Sequence, residues 1–301
     1  MFYSIRELAR YSGIKPHTIR IWEQRYDILS PHRTDTNIRY YDDEQLHKLL
    51  NVTSLVNAGH KISKVSAYSD AELIEAIKAL QDDPDYPYAR FDHARNALLS
   101  ATLTFDEPQF VGTLKQCIDR MGLEDTYREV IGPLLSQTGL LWRQHDMDPS
   151  QEHFASALIR QTISAAINDL PVAKADTGCW LLFLPEQEEH EVGLLFAHFL
   201  LRKAGEPVIY LGPRVPMSSL VSAAELTRPD LLLTFFTAMF SIEESQAYID
   251  QLVDQFPGCN ICVAGAPAIL DQIITPNRVT LLTNVDDLVT ILSDQPATID
   301  E

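Results

Sequence analysis

The chain has 301 residues, 46% of them hydrophobic, a net charge of −18 and four cysteines. That length suits two or three domains, and no apolar run reaches the ~20 residues a membrane span needs, so no membrane partner is expected. Cys117, Cys179, Cys259 and Cys262 are too few and too scattered for a disulfide framework.

The charge is unevenly divided. Residues 1–69 carry a net +3 and the remainder −21, so a polyanion would meet the head, and the acidic body would repel it. The start, Met1 to Glu7, reads as amphipathic structure without the basic and apolar regions of a signal peptide, and a cytoplasmic location is expected.

In chain order, Ser4-Ile5-Arg6-Glu7 is a capping box opening a short helix that stops near Gly13. A second helix starts at Pro16, a residue suited to the first helical turn, and runs to about Tyr26. Two short helices about a glycine-containing turn form a helix-turn-helix. The second carries His17, Thr18, Arg20, Gln24 and Arg25, groups able to donate to base edges or phosphates. Pro31 to Tyr41 sets two basic arms about a polar turn, a β-hairpin wing; helices follow over Asp43–Asn57 and from Lys61 or Ile62. Tyr3-Ser4-Ile5, Thr18-Ile19-Arg20-Ile21-Trp22-Glu23, Arg25-Tyr26 and Arg39-Tyr40-Tyr41 together resemble the DNA-binding head of MerR-family transcription regulators over about 70 residues. The resemblance implies that His17 and Arg20 face DNA in the major groove while Arg33, Arg39 and Tyr40 hold its backbone, and that Ile19, Trp22 and Leu8 are core. Regulators of that type generally continue into a long coiled-coil helix. Here the helical pattern Ala71–Leu80 is short, ~15 Å at the helical rise, and breaks in an expected linker, residues 82–90. Self-association would then fall to the acidic body.

From Phe91 to Asp169 four helical segments are separable, about 91–103, 106–120, 123–145 and 149–169, which short loops make antiparallel neighbours in a bundle. At the last break Asp148 can cap the final helix, with Pro149 at its first position and Gln151 at the capping-box position. The hairpin brings Trp142, Glu152 and His153 to similar height at one end of the bundle. Taken alone these residues fit a Trp plug beside a helix-start Glu favoured by the dipole, and also a ligand-facing corner.

Residues 177–301 alternate strand and helix: strands at 179–184, 208–211, 231–236, 261–264 and 279–282, helices at about 189–204, 216–227, 242–256, 267–274 and 285–294. Five βα units predict a doubly wound, mostly parallel sheet with ligands at the carboxyl ends of its strands. There is no G-x-G-x-x-G and no P-loop. Cys259 and Cys262 form a lone C-x-x-C inside strand-like sequence and read as core cysteines rather than a zinc site. Glu188-x-His190-x-x-Gly193 lies between the first strand and its helix. An imidazole with an acidic neighbour to orient its ring and a glycine that lets a bulky group approach suits an axial metal ligand; the same residues also fit a solvated acidic helix start.

A bundle with W-x9-E-H followed by an α/β domain with E-x-H-x-x-G resembles the cobalamin-binding unit of the light-sensing CarH/CarA/LitR regulators, and is similar in order to the cap and cobalamin domains of methionine synthase. The fold class expected is multidomain: a winged helix-turn-helix head (1–75), a four-helix-bundle cap (90–170) and a Rossmann-like cobalamin-binding domain (177–301). The resemblance implies adenosylcobalamin as cofactor and His190 as the lower ligand of its cobalt. Trp142, Glu152 and His153 would lie against the upper face, and Glu188, Gly193, Thr237 and Gly265 would line the rest. It implies a repressor without catalytic turnover that binds double-stranded promoter DNA as a homo-oligomer, dimer to tetramer, assembled in the dark and released by light. Thr237-Ala238-Met239 and Gly265-Ala266 stand where such domains have Ser-x-Leu and Gly-Gly; the Ala266 methyl lies on the path of the nucleotide tail. Two other readings remain open: a cobalamin-independent MerR-like regulator whose body oligomerises or binds a protein, and a corrinoid methyl carrier.

Overall fold

The computed structural model describes residues 2–82, 87–173, 179–236 and 241–294. The chain divides into two compact units, Met1–Leu158 and Ile159–Glu301.

In the first unit, Ser4 caps α1 (Ile5–Ser12) with a reciprocal capping box, and Gly13 ends it at φ 71°. A left-handed glycine then sets up the turn into α2 (Pro16–Tyr26), with proline at its start. Strands β2 (His32–Arg33) and β3 (Arg39–Asp42) make the expected hairpin. The other edge of β3 pairs with β1 (Phe2–Tyr3), giving a three-stranded sheet that the sequence did not announce. Asp42 caps α3 (Asp43–Asn57) by accepting from the Gln45 amide. The short α4 (Ile62–Val65) and then α5 (Asp70–Asp82) follow.

The bundle helices are α6 (Pro87–Thr104), α7 (Glu107–Thr126), α8 (Gly132–Arg143) and α9 (Pro149–Asn168). Since α5 reaches Asp82 and α6 starts at Pro87, the expected linker is shorter than 82–90; residues 83–86 lie outside the described ones. A π-helical turn, Tyr127–Ile131, separates α7 from α8. Pro133 supplies no N–H for the Glu129 carbonyl, which accepts from the Arg95 guanidinium at 3.3 Å instead.

The second unit is an open sheet of β4 (Trp180–Pro185), β5 (Val208–Val215), β6 (Leu231–Phe236), β7 (Asn260–Gly265) and β8 (Val279–Leu282). All strand pairs are parallel and the order is β5-β4-β6-β7-β8. The crossover helices are α10 (Val192–Lys203), α11 (Met217–Thr227), α12 (Ile242–Gln255), α13 (Pro267–Leu270) and α14 (Val285–Asp294). One sheet face builds a core of Leu181, Phe183, Leu232, Phe236, Ile261 and Val263 against Leu220, Ile249 and Leu252. Because β5 and β6 flank β4 on opposite sides, the chain reverses its winding at β4. That makes the carboxyl end of β4 a topological switch point, the usual ligand crevice of such sheets. Among the described residues no helix is long and apolar enough to cross a membrane.

Two predictions follow from packing. A Cβ at Gly265 would lie 2.6 Å from the Phe236 carbonyl oxygen, a backbone atom that cannot step aside. Gly265→Ala therefore costs about 1–3 kcal/mol, read as a lowered urea midpoint at unchanged slope. His93, on α6, is half-buried with its Nδ1 covered and unpartnered, and desolvation, then the charge of His47, lowers its pKa from 6.5 to about 4. The unfolded chain takes up this proton first, so the contribution is complete above pH 6.5 and is lost as pH falls toward about 4. His93→Phe should flatten that part of the stability–pH curve; an unchanged slope would show that other groups set it.

Candidate cofactor site and nucleic-acid interface

On α2 the apolar side, Ile19 and Trp22, is buried, while His17, Arg20, Gln24 and Arg25 are exposed and Thr18 is half-buried. The helix thus presents its polar residues away from the core, as an element reading DNA must. In the wing, the Arg33 guanidinium donates to Asn37 Oδ1 at 2.6 Å. The Tyr40 ring stacks on His32 at 5.2 Å and meets Phe2 edge-on at 5.1 Å. Arg39 Nε donates to Glu23 Oε2 at 3.2 Å, and the Tyr41 hydroxyl donates to the other Glu23 oxygen. Glu23 is buried on α2, so an acid inside a basic helix ties the wing to the reading helix. Sequence reasoning passed over Glu23; its one signal was a carboxylate beside Trp22 on an otherwise basic segment.

At the bundle corner, α8 closes with the His145 amide donating to the Trp142 carbonyl and the Asp146 amide to that of Leu141, His145 taking φ 59°. Asp148 starts α9 as expected: its carboxylate accepts from the Ser150 amide at 2.8 Å, and Gln151 Oε1 accepts from the Asp148 amide at 3.0 Å. The Ser150 hydrogen bonds hold the Asp148 carboxyl below its ordinary pKa. Buried Gln151 also donates to the Leu103 carbonyl at 2.8 Å, fixing the start of α9 to the end of α6. Trp142 is 37% exposed, and Leu140, two positions earlier on α8, is 48% exposed. His153 Nδ1 contacts Glu152 Oε2 at 2.8 Å, the imidazole exposed and the carboxylate mostly covered. No contact joins Trp142 to this pair. The turn is anchored to the head, because the Tyr11 hydroxyl donates to the Asp146 carbonyl at 2.7 Å and Arg10 pairs with the Asp146 carboxylate.

At the carboxyl end of β4, the Glu188 side chain is 0% exposed. Its Oε1 accepts from the Glu189 amide at 3.0 Å, the His190 amide at 2.9 Å and His190 Nδ1 at 2.6 Å. Three donors on one oxygen are what a buried carboxylate requires. With Nδ1 donating, Nε2 is the ring nitrogen that carries the lone pair, on an imidazole whose side chain is 44% exposed. The strand end is held as well: the Glu188 amide donates to the Pro185 carbonyl, and the Arg214 amide to the Glu188 carbonyl. Because Glu188 takes the amides of 189 and 190, α10 begins at Val192, three residues later than the sequence pattern predicts.

A Cβ on Gly193 would lie 2.8 Å from Phe235 Cε1, so the bulky group approaching this glycine is a ring at the end of β6. Phe235 was not anticipated. Gly265, at the end of β7, completes the same sheet edge. Thr237 lies outside the described residues. Cys259 and Cys262 are buried free thiols; Cys259 donates to the Pro229 carbonyl and burial raises the Cys262 pKa to about 11, consistent with the core reading. Among the described residues no group of three or more His, Cys, Asp or Glu could hold a metal ion. A lone oriented imidazole suits a metal whose other positions are filled by a macrocycle.

Residues 3–72 match the MerR HTH family of regulatory proteins, and residues 94–167 match a B12 binding domain. The chain is 31% identical to the HTH-type transcriptional repressor CarH of Myxococcus xanthus over 88% of this chain and 89% of that protein. It is 27% identical to the repressor CarA of the same organism over 89% and 88%. The monomethylamine corrinoid protein of Methanosarcina barkeri superposes with a TM-score of 0.52 over 67% of this chain and 95% of its own, at 15% identity, a likeness of fold. These curated relatives are repressors, and the chain is a regulator rather than an enzyme. With a MerR-type head, a B12 binding domain match and this identity along most of its length, the chain belongs to the CarH/CarA family of helix-turn-helix transcription regulators.

Proposed function

We propose that the chain is a light-responsive repressor that binds adenosylcobalamin through His190 and promoter DNA through its head, as an oligomer assembled in the dark. The observation that carries this reading is the buried Glu188 holding His190 Nδ1 at 2.6 Å. That contact fixes ring and tautomer as metal-ligating histidines require, and the site fits a cobalt-bound corrin on this ground. Residues 1–75 are the DNA-binding domain, 90–170 the cap and 177–301 the cobalamin domain, in a protein placed in the cytoplasm.

When bound, adenosylcobalamin supplies a cobalt–carbon bond that light breaks. Every other part belongs to the chain. His190 would offer Nε2 to the cobalt, and Glu188 would keep the proton on Nδ1 so that the ligand nitrogen stays a base. Gly265, at the end of β7, would line the edge where the nucleotide tail passes. Trp142, Glu152 and His153 are the bundle residues that would meet the adenosyl group. In the head, His17, Thr18 and Arg20 would meet the major groove while Arg33, Arg39 and Tyr40 contact phosphates. Joining several heads in one assembly raises DNA affinity without a new contact per head, provided the cofactor favours the assembled state.

Reconstitution with adenosylcobalamin in the dark should give a coloured, larger species by sizing chromatography. On illumination it should shrink and lose about 100-fold in promoter affinity, the scale of linked binding. His190→Ala should take up less cofactor and stay small. A protein that remains colourless and unchanged in size overturns the proposal. Dark assembly and DNA affinity untouched by His190→Ala would favour a regulator that works without cobalamin.

A further inference from the structure

Glu191 follows His190 and occupies the position before α10, and its side chain makes no hydrogen bond to the helix amides. Its Oε1 accepts from Arg160 Nη1 at 3.1 Å and its Oε2 from the Tyr210 hydroxyl at 2.9 Å. The Glu191 side chain is 16% exposed, so these two partners offset the cost of covering its charge.

The partners are themselves built in. Tyr210 lies on β5, its ring parallel to that of His198 at 5.1 Å. Gly212, at φ 81°, leaves room for it, since a Cβ there would lie 3.3 Å from the Tyr210 ring. Burial and the Glu191 charge raise the Tyr210 pKa, so the hydroxyl stays a donor. Burial lowers the His198 pKa to about 4, so the stacked ring is neutral at physiological pH. Arg160 comes from α9, the helix whose first turn carries Glu152 and His153.

We propose that Glu191, held by Arg160 and Tyr210, is a positioning residue for His190: Glu188 fixes the imidazole from inside the loop, and Glu191 fixes the backbone just after it. The proposal rests on the reading of His190 as the cobalt ligand. Two anchors on either side of a two-residue span leave the ring one approach to a metal, where Glu188 alone orients the ring but leaves the C-terminal side of the loop to move. Partners of this kind typically shift metal affinity 10–100-fold.

Glu191→Gln keeps the size and weakens the link to Arg160; Tyr210→Phe deletes one donor and keeps the ring on His198. Full-length variants would be titrated with adenosylcobalamin in the dark, reading affinity and the absorbance signature of imidazole-ligated cobalt, with thermal melting of the cofactor-free proteins alongside. Both variants should bind about 10–100-fold more weakly, with part of the bound cofactor lacking the imidazole-ligated spectrum and little change in the cofactor-free melt. Should Glu191→Gln fail to fold, Tyr210→Phe decides. Wild-type affinity and spectrum in the folded variants would reduce Glu191 to packing and overturn the proposal. His190→Gly separates the two claims. If it keeps the wild-type spectrum, the ligand assignment fails, and this proposal with it. If it loses that spectrum while the Glu191 and Tyr210 variants retain it, only the positioning role fails.

Discussion

The second unit is organised around one buried carboxylate. Glu188 sits where β4 ends, and the amides of 189 and 190 and the His190 ring stand in for water around its carboxylate. Leaving such a charge unpaired would cost several kcal/mol, so the loop must close over it in one shape. That closure delays α10, aims His190 out of the sheet edge and puts it where the winding order reverses at β4. The position of the imidazole is thus a consequence of satisfying an acid rather than of any contact the histidine seeks.

Much of this was legible in the sequence because local signals agreed with one another. The Ser4 box and Pro16 place α1 and α2, the Asp42 cap places α3, and apolar runs place β6 and β8 to the residue. Failures occur where a distant partner overrides the local pattern. β5 runs on through Gly212 and Pro213 to Val215, four residues beyond its predicted end. An edge strand tolerates proline, and register shifts against β4 absorb the left-handed Gly212 and Arg214. The π-helical turn ahead of Pro133 depends on Arg95, 34 residues away, to satisfy a carbonyl.

The site was legible to a different depth at each end. E-x-H-x-x-G pointed to an oriented histidine, and the orientation is present to hydrogen-bond precision. The role of its glycine shifted, from room for a ligand to room for Phe235, because spacing within one loop carries no information about the strand beside it. At the bundle corner the sequence placed Trp142, Glu152 and His153 near one helix turn, and the structure leaves Trp142 37% exposed there, because hairpin spacing fixes height along a bundle and not the cover above it.

Glu23 and Glu188 are buried charged residues, one in each unit. One ties the wing to the helix that carries the DNA-facing residues; the other holds the histidine of the ligand loop. In a chain with 42 acidic residues, most carboxylates lie where water solvates them and their geometry is not forced. A buried one is costly unless each lone pair is met, and it therefore dictates the geometry of whatever meets it. Such a group fixes the local geometry once in each unit, while the α8–α9 turn is tied to the head by Arg10 and Tyr11 through Asp146.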